Sequence, residues 1–396
     1  MEIVVAIISF VAAIIAILQF SGIADIRHLL SILSTKLNIS IFKKTQNQKL
    51  SPIFTISRSK EIRRLADRIR TGQSSAIIGF FSEERRTILG YLRNENPKQQ
   101  EELYGDKANQ LIFSYIDIAF LDKECSPPQF WEMALEPLRI KMTDSEQLEK
   151  AYQVCKDNQF DRRSLENLIS VINQKSWQLV LLLDKFEELL QHPHFKKNWE
   201  FFTTLRYLAA SRTPSPLVLV IASNQSLEQF HKKIQYLSPL TSPILNFIEW
   251  GLTTLGSLSE AEVDNLLEHN DPPIPEKARQ FIKNMVGGHP YLLNVAVSEL
   301  WKISPNGELE SVETLEKAFY DRIKYNLERI INSWSQNTSQ AFQTLVKQGQ
   351  VVGFENELKE LETQGLVAKV NEQWQIRSRI FSIFLAEKDK QQILES

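Results

Sequence analysis

Residues 76–89 read AIIGFFSEERRTIL. Ala76-Ile77-Ile78 is an apolar run, Gly79 breaks it, and a polar turn leads into a helix expected from about Glu83 to Arg93. A short apolar strand, a glycine turn and a helix form the opening unit of an alternating α/β layout. Upstream, SKEIRRLADRIR (59–70) places Ile62, Leu65, Ala66 and Ile69 on one helical face. Downstream, NQLIFSYIDIAF (109–120) reads as a second strand, rich in β-branched and aromatic residues. SPPQFWEMALEPLRIKM (126–142) and SLENLISVINQK (164–175) read as helices. WQLVLLLDKFEELL (177–190) is a continuous apolar strand ending in acids, NWEFFTTLRYLAAS (198–211) a helix, and PLVLVIASN (216–224) again a continuous apolar strand. Strands that are apolar throughout, alternating with helices, predict a parallel sheet buried on both faces. Ligands of such sheets bind beyond the strands' C-terminal ends. Gly79 and its turn, Asp184, and Ser223-Asn224 fall at those ends.

After Glu249 the pattern turns helical. LSEAEVDNLLEHN opens with Ser259 followed at the third position by Glu262, a capping-box arrangement. PEKARQFIKNMVGGHPYLLNVAVSELW predicts two helices broken at Gly287-Gly288, and ESVETLEKAFYDRIKYNLERIINSW one long helix. The final part reads as helix (TSQAFQTLVKQG), helix (FENELKELETQG), strand (LVAKVN) and EQWQIRSRIFSIFLAEK. Two helices ending in glycine before a small β-wing suggest a winged helix, with Trp374, Ile376, Ile380, Phe381 and Phe384 as its core. Its second helix carries four acids and one lysine, the wrong charge for a helix facing phosphates. That argues against nucleic acid and for a structural or protein-contact module.

The 396 residues are 43% hydrophobic and 24% charged, and the net charge of -2 provides no basic field for nucleic acid. Cys125 and Cys155 cannot build a disulfide framework and fit a reducing compartment. The six histidines are scattered apart from His192 and His194, where Pro193 favours a turn, and no structural metal site is expected. MEIVVAIISFVAAIIAILQF has no charge between Ile3 and Phe20, at the short end of the roughly 17–25 apolar residues of a spanning helix. A secretory signal would want a basic leader, and Glu2 is the early side-chain charge. A helix packed against the protein's own core or against a partner is the other reading. Arg27, Lys36, Lys43, Lys44 and Lys49 follow, opposed by Asp25, so an anchor would leave the bulk of the chain cytoplasmic. The expected organisation is a transmembrane anchor (1–22), a juxtamembrane linker or helix (23–50), an α/β domain (51–250), a helical lid (251–330) and a winged helix (331–396).

The chain resembles the AAA-like domains of the STAND class, signal-transduction P-loop ATPases of bacteria, over roughly residues 50–388. The resemblance is carried in order by SPIFTISRSKEIRRLADRI, LVLLLDKFEELL, GLTTLGSLSEAEVDNLL, VGGHPYLLNVAVSEL and LETQGLVAKV…WQIRSRIFSIFL. It implies a parallel-sheet P-loop NTPase domain, a lid and a winged helix, with ATP or ADP and Mg²⁺ between sheet and lid. By resemblance, Asp184 would hold Mg²⁺ through water and Glu187 or Glu188 polarise the attacking water. Gly288, His289 and Pro290 would pack near the adenine, Asn224 would sense the nucleotide, and Arg206 or Arg212 would serve as an arginine finger.

The phosphate loop departs from that pattern. G-x-x-x-x-G-K-[ST] uses glycines so that backbone N–H groups reach phosphate oxygens, with Lys on the β- and γ-phosphates and a hydroxyl on Mg²⁺. Starting at Gly79 puts Glu84, Arg85 and Arg86 at the Gly, Lys and Ser/Thr positions. Shifting by one keeps Arg86 as cation and Thr87 as hydroxyl, but sets Phe80 and Arg85 in the glycine positions. A Glu84 carboxylate aimed at phosphate would cost about 4 kcal/mol at 4 Å and an effective dielectric of about 20, roughly three decades in affinity. Arg85 and Arg86 could offset part of this, since guanidinium binds phosphate. Lys185 stands where the family commonly has an acid. The acids after Asp184 would equally suit a solvated helix start. Two functions follow: a membrane-anchored scaffold or signalling protein that is a pseudo-ATPase or weak nucleotide binder, or an active ATP-dependent switch. Either implies a protein partner or self-association.

Overall fold

Five strands pair in parallel in the order β2-β3-β4-β1-β5. The computed structural model describes residues 57–210, 214–225, 251–270, 272–305 and 311–395, all within one compact unit, Ser51–Ser396. The expected anchor (1–22), the linker (23–50) and Arg212 lie outside the described residues. Among the described residues no helix is long and apolar enough to cross a membrane.

The first part of the unit runs α1 (Ser59–Arg70), β1 (Ser75–Ile78), α2 (Ser82–Leu92), α3 (Pro97–Tyr104), β2 (Leu111–Asp117), α4 (Pro127–Ala134), α5 (Arg139–Met142), α6 (Glu146–Asp157), α7 (Arg162–Gln174), β3 (Gln178–Asp184), α8 (Trp199–Ala210), β4 (Leu217–Ser223) and β5 (Leu252–Thr254). The middle strands are buried on both faces: Leu179 to Leu183 of β3 and Leu217 to Ala222 of β4 are almost wholly covered. Burying each such side chain contributes about 1.5–3 kcal/mol, so these runs fix the sheet. The expected parallel sheet is therefore present.

Several boundaries differ from expectation for local reasons. β2 stops at Asp117, whose carboxylate accepts the Ala119 N–H at 3.2 Å, and a 3₁₀ turn follows. β3 stops at Asp184: Lys185 turns left-handed (φ 55°), and Phe186–Leu190 is a 3₁₀ turn. The helix expected over 126–142 divides around Pro137, which has no N–H to continue it. Helices α3 and α6 and strand β5 were not anticipated. Asn96 and Ser145 cap the two helices by accepting the N–H of Lys98 and Leu148.

The second part is helical: α9 (Glu260–Glu268), α10 (Glu276–Val286), α11 (Pro290–Ile303), α12 (Val312–Ser333), α13 (Gln336–Gln348) and α14 (Glu355–Thr363), then an antiparallel pair β6 (Val367–Val370) and β7 (Gln373–Ile376), and α15 (Arg379–Glu395). Ser259 and Glu262 form the expected capping box. Two hydrophobic cores result. One surrounds the sheet. The other joins α9 to α15 and also takes in Phe80 and Phe81, from the turn between β1 and α2.

Gly287 and Gly288 are explained by backbone geometry. Gly287 ends α10 in the left-handed conformation (φ 61°), with its Cα against the carbonyl of Arg377. A side chain on Gly288 would meet the carbonyl of Leu258 at 2.9 Å. The Leu258 N–H donates to the Gly288 carbonyl at 2.9 Å, so this pair of glycines lets three segments of the helical part meet.

Candidate functional site

The C-terminal edge of the sheet gathers most of the residues singled out in the sequence. Only Gly79, Phe80 and Phe81 separate β1 from α2. Gly79 still belongs to the sheet: its N–H donates to the Ser223 carbonyl at 3.1 Å. A side chain on it would press on Leu255 at 3.0 Å, so close packing accounts for this glycine. Because α2 starts at Ser82, Glu84, Arg85, Arg86 and Thr87 are all helical. The N–H groups of Glu84 and Arg85 already donate to the Phe81 carbonyl at 3.1 and 3.2 Å. They are therefore turned into the helix and away from any ligand.

Phe80 and Phe81 fill the space between sheet and helices. The Phe81 ring lies 4.5 Å from the His289 ring and 4.6 Å from that of Tyr291. Phe80 meets Trp334 at 6.1 Å, and Trp334 continues to Phe342 at 5.1 Å. A cavity of about 10 Å³ beside Phe80, Asn224 and Trp334 gives room for about one water molecule.

Arg85 is 2% exposed. Its Nη1 donates to the Gly79 carbonyl and, at 3.4 Å, to the Phe80 carbonyl. Its Nε lies 3.5 Å from Asp184 Oδ1. Asp184 is wholly buried and pairs in register with Asp117. Asp184 also accepts the Lys185 N–H at 2.9 Å and the Tyr115 hydroxyl at 3.4 Å. Asp117 takes Lys185 Nζ at 2.9 Å and Arg86 Nη2 at 3.4 Å. Burial pushes the Asp184 carboxyl up despite Arg85, and does the same to Glu187. Glu187 Oε1 accepts the Asn224 N–H at 3.4 Å.

A second buried group lies on the side of the turn that faces the helical part. Glu84 Oε1 accepts Arg58 Nε at 2.7 Å, and its Oε2 lies 3.6 Å from His289 Nε2. Arg58 also donates to the Gly256 carbonyl at 2.6 Å and to Glu61 at 2.8 Å. Burial raises the Glu84 carboxyl, opposed by Arg58. Burial drives the His289 imidazole well below its usual 6.5, and the Arg58 cation adds to this. His289 precedes Pro290 at the start of α11, and neither ring nitrogen has a hydrogen-bond partner among the described residues.

The structure thus brings together Gly79, Arg85, Asp184, Glu187 and Asn224 at the strand ends, and Glu84, Gly288, His289 and Pro290 toward the helices. Arg206 lies half-buried on α8. The Thr87 hydroxyl donates to the Glu83 carbonyl at 2.7 Å, and both Asp184 oxygens are engaged. Among the described residues no group of three or more His, Cys, Asp or Glu side chains is placed to hold a metal ion. Sequence reasoning missed Asp117 and Arg58. The first had a signal, since two strands each close on an aspartate. The second had none, because its partner is 26 residues away.

A family model for the AAA-like domain matches residues 132–387, more than half of the chain. No curated protein matches it. Among solved structures, a Walker-type ATPase of Pyrococcus abyssi aligns with TM-score 0.54 and 13% identity, covering 83% of this chain and 95% of that one. The ORC2 protein of Aeropyrum pernix, in ADPNP–ADP complexes, aligns at 0.48 and 13% identity, over 88% of this chain and 98% of its own. At that identity the first likeness speaks for the fold alone. With its parallel-sheet α/β fold of the P-loop NTPase kind and the family model matched from residue 132 to 387, this chain belongs to the AAA-like domain family.

Proposed function

We propose that this protein is a membrane-anchored, STAND-like signalling or scaffold protein whose AAA-like domain is a pseudo-ATPase or weak nucleotide binder. One observation carries the reading. Phe80 and Phe81, in the turn that would have to arch over phosphates, are packed into the core of the helical part. A phosphate loop needs glycine backbone open to the ligand. Here the turn is three residues long and covered by His289, Tyr291 and Trp334. The surrounding cations each already face a carboxylate: Arg58 with Glu84, Arg85 with Asp184, Arg86 and Lys185 with Asp117. A triphosphate would have to displace those pairs.

In this reading, residues 1–22 hold the chain in the membrane with the AAA-like domain (51–250), lid (251–330) and winged helix (331–396) in the cytoplasm. The winged helix contacts protein, since Glu355, Glu357, Glu360 and Glu362 of α14 repel nucleic acid. A second reading, an ATP-dependent switch, draws support from Asp184, Glu187 and Asn224 converging beside the turn.

ATP turnover by the full chain separates the two. The pseudo-ATPase reading expects a background rate that Asp184→Ala leaves unchanged. Robust Mg²⁺-dependent turnover abolished by Asp184→Ala would establish the switch. For the anchor, the full chain should fractionate with membranes and a chain lacking residues 1–22 should not; a soluble full-length chain would refute it.

A further inference from the structure

The buried Arg85 guanidinium meets two carbonyls, those of Gly79 and Phe80, through Nη1 and one carboxylate, that of Asp184, as an ion pair, on its Nε side. Glu187, 4% exposed, is the next acid along, and Arg85 is the main charge opposing the effect of burial on it. A phosphate-binding turn aims N–H groups at an anion. This turn aims carbonyls at a cation, so its polarity is reversed.

The shape of the cation matters as well as its charge. Guanidinium is planar and presents its donors in a fixed fork, matched to acceptors spread around its edge. An ammonium group concentrates its charge at one point, whereas the guanidinium reaches the turn's carbonyls through Nη1 and the Asp184 carboxylate on its Nε side with one rigid plane. The acceptors come from two elements, the turn after β1 and the end of β3, and α2 supplies the cation. Arg85 therefore ties the β1–α2 turn to the sheet's C-terminal edge, and Phe80 and Phe81 of that same turn carry the helical core.

We infer that the pocket behind the β1–α2 turn is a guanidinium receptor, filled by the chain's own Arg85 as a tethered internal ligand. It holds the turn in the shape on which the helical part packs, with no nucleotide required. The inference deepens the pseudo-ATPase reading and rests on it for its functional meaning.

The test is chemical rescue in the full chain. Arg85→Ala should lower the thermal midpoint by about 5 °C or more, leaving two buried acids facing a vacancy. Guanidinium chloride at about 20 mM, far below the molar concentrations that unfold proteins, should restore at least half of that loss by binding the folded state. Sodium chloride and urea at the same concentration should restore none. An unchanged midpoint, no rescue by guanidinium, or equal rescue by sodium chloride would each overturn the inference. Should Arg85→Ala fail to fold, arginine-selective ¹⁵N spectra of the wild type decide: Arg85 should show a slowly exchanging Nε–H and resolved, non-averaged Nη signals. Rapidly averaged signals would refute it. These readouts use no nucleotide, so tight ATP binding by the wild type would sink the pseudo-ATPase reading while leaving the receptor intact.

Discussion

Arg58 and Glu84 meet at 2.7 Å with side chains 3% and 0% exposed, joining the residue before α1 to the first turn of α2. The two ions lack water, so each depends on the other. Removing one partner leaves an uncompensated buried charge. Arg58→Ala should therefore destabilise the chain by about 3–5 kcal/mol. Replacing both by apolar residues, Arg58→Met with Glu84→Leu, should recover most of that loss. Denaturant unfolding of the three chains checks it; equal loss in the single and double variants would contradict the pairing.

Phe81 is 1% exposed and packed between His289, which it meets edge-on, and Tyr291, whose ring is tilted against it. Phe81→Ala should cost about 3–5 kcal/mol through the cavity it opens. Phe81→Leu should cost less, because much of the volume stays filled. A loss below about 1 kcal/mol for the alanine variant would show that the ring is not a core element. Neither variant should gain ATP turnover.

The pH response follows from His289. Its folded pKa is depressed by burial, so the folded state stays neutral while the unfolded chain takes up a proton below 6.5. The unfolded state then binds more protons, and stability falls as pH drops below 6.5. One such group contributes a slope of up to about 1.4 kcal/mol per pH unit. The raised pKa values of Glu84, Asp184 and Glu187 act with opposite sign. They favour the folded state as pH falls from their raised values toward their usual 4.5, 3.8 and 4.5, partly offsetting the histidine. His289→Phe should lose the histidine's part of the slope. It should keep near-neutral stability, since the ring nitrogens make no hydrogen bonds among the described residues. Urea midpoints between pH 5 and 8 would show it, and an unchanged slope in His289→Phe would count against the assignment.

Gly287 combines a left-handed φ of 61° with contact against the Arg377 backbone. Gly287→Ala should cost more than the roughly 1 kcal/mol of an ordinary glycine-to-alanine change at a left-handed position, because the Arg377 strand end must also move. Gly90 lies inside α2 with open space where a Cβ would stand. There the change should be neutral or stabilising by up to about 1 kcal/mol. The two variants measured side by side by thermal unfolding test this contrast.

Much of the fold was legible because its strands announce themselves. LVLLL of β3 and LVLVIA of β4 are buried on both faces, and no helical period competes with them. The helix limits of α1 matched their expected residues because Ile62, Leu65, Ala66 and Ile69 repeat at helical spacing. β5 was missed because three residues carry too little pattern, and α6 because its buried face mixes Leu148, Ala151, Tyr152 and Cys155. The candidate site was legible as a set of strand-end positions and illegible as a set of contacts. That Glu84 turns toward Arg58 and Arg85 toward Asp184 depends on α2 beginning at Ser82. That start shortens the turn to three residues and rotates the two neighbours to opposite sides. No reading of AIIGFFSEERRTIL by itself fixes that rotation.

Calorimetric titration of the full chain with ATP and with ADP, each with and without Mg²⁺, tests the central claim most directly. Phe80 and Phe81 fill the turn and Arg85 is paired with Asp184, so a triphosphate meets neither open backbone N–H groups nor an unpaired cation at the turn. The account therefore predicts no saturation at micromolar nucleotide and no gain on adding Mg²⁺. Saturable, Mg²⁺-dependent binding in the micromolar range would contradict it.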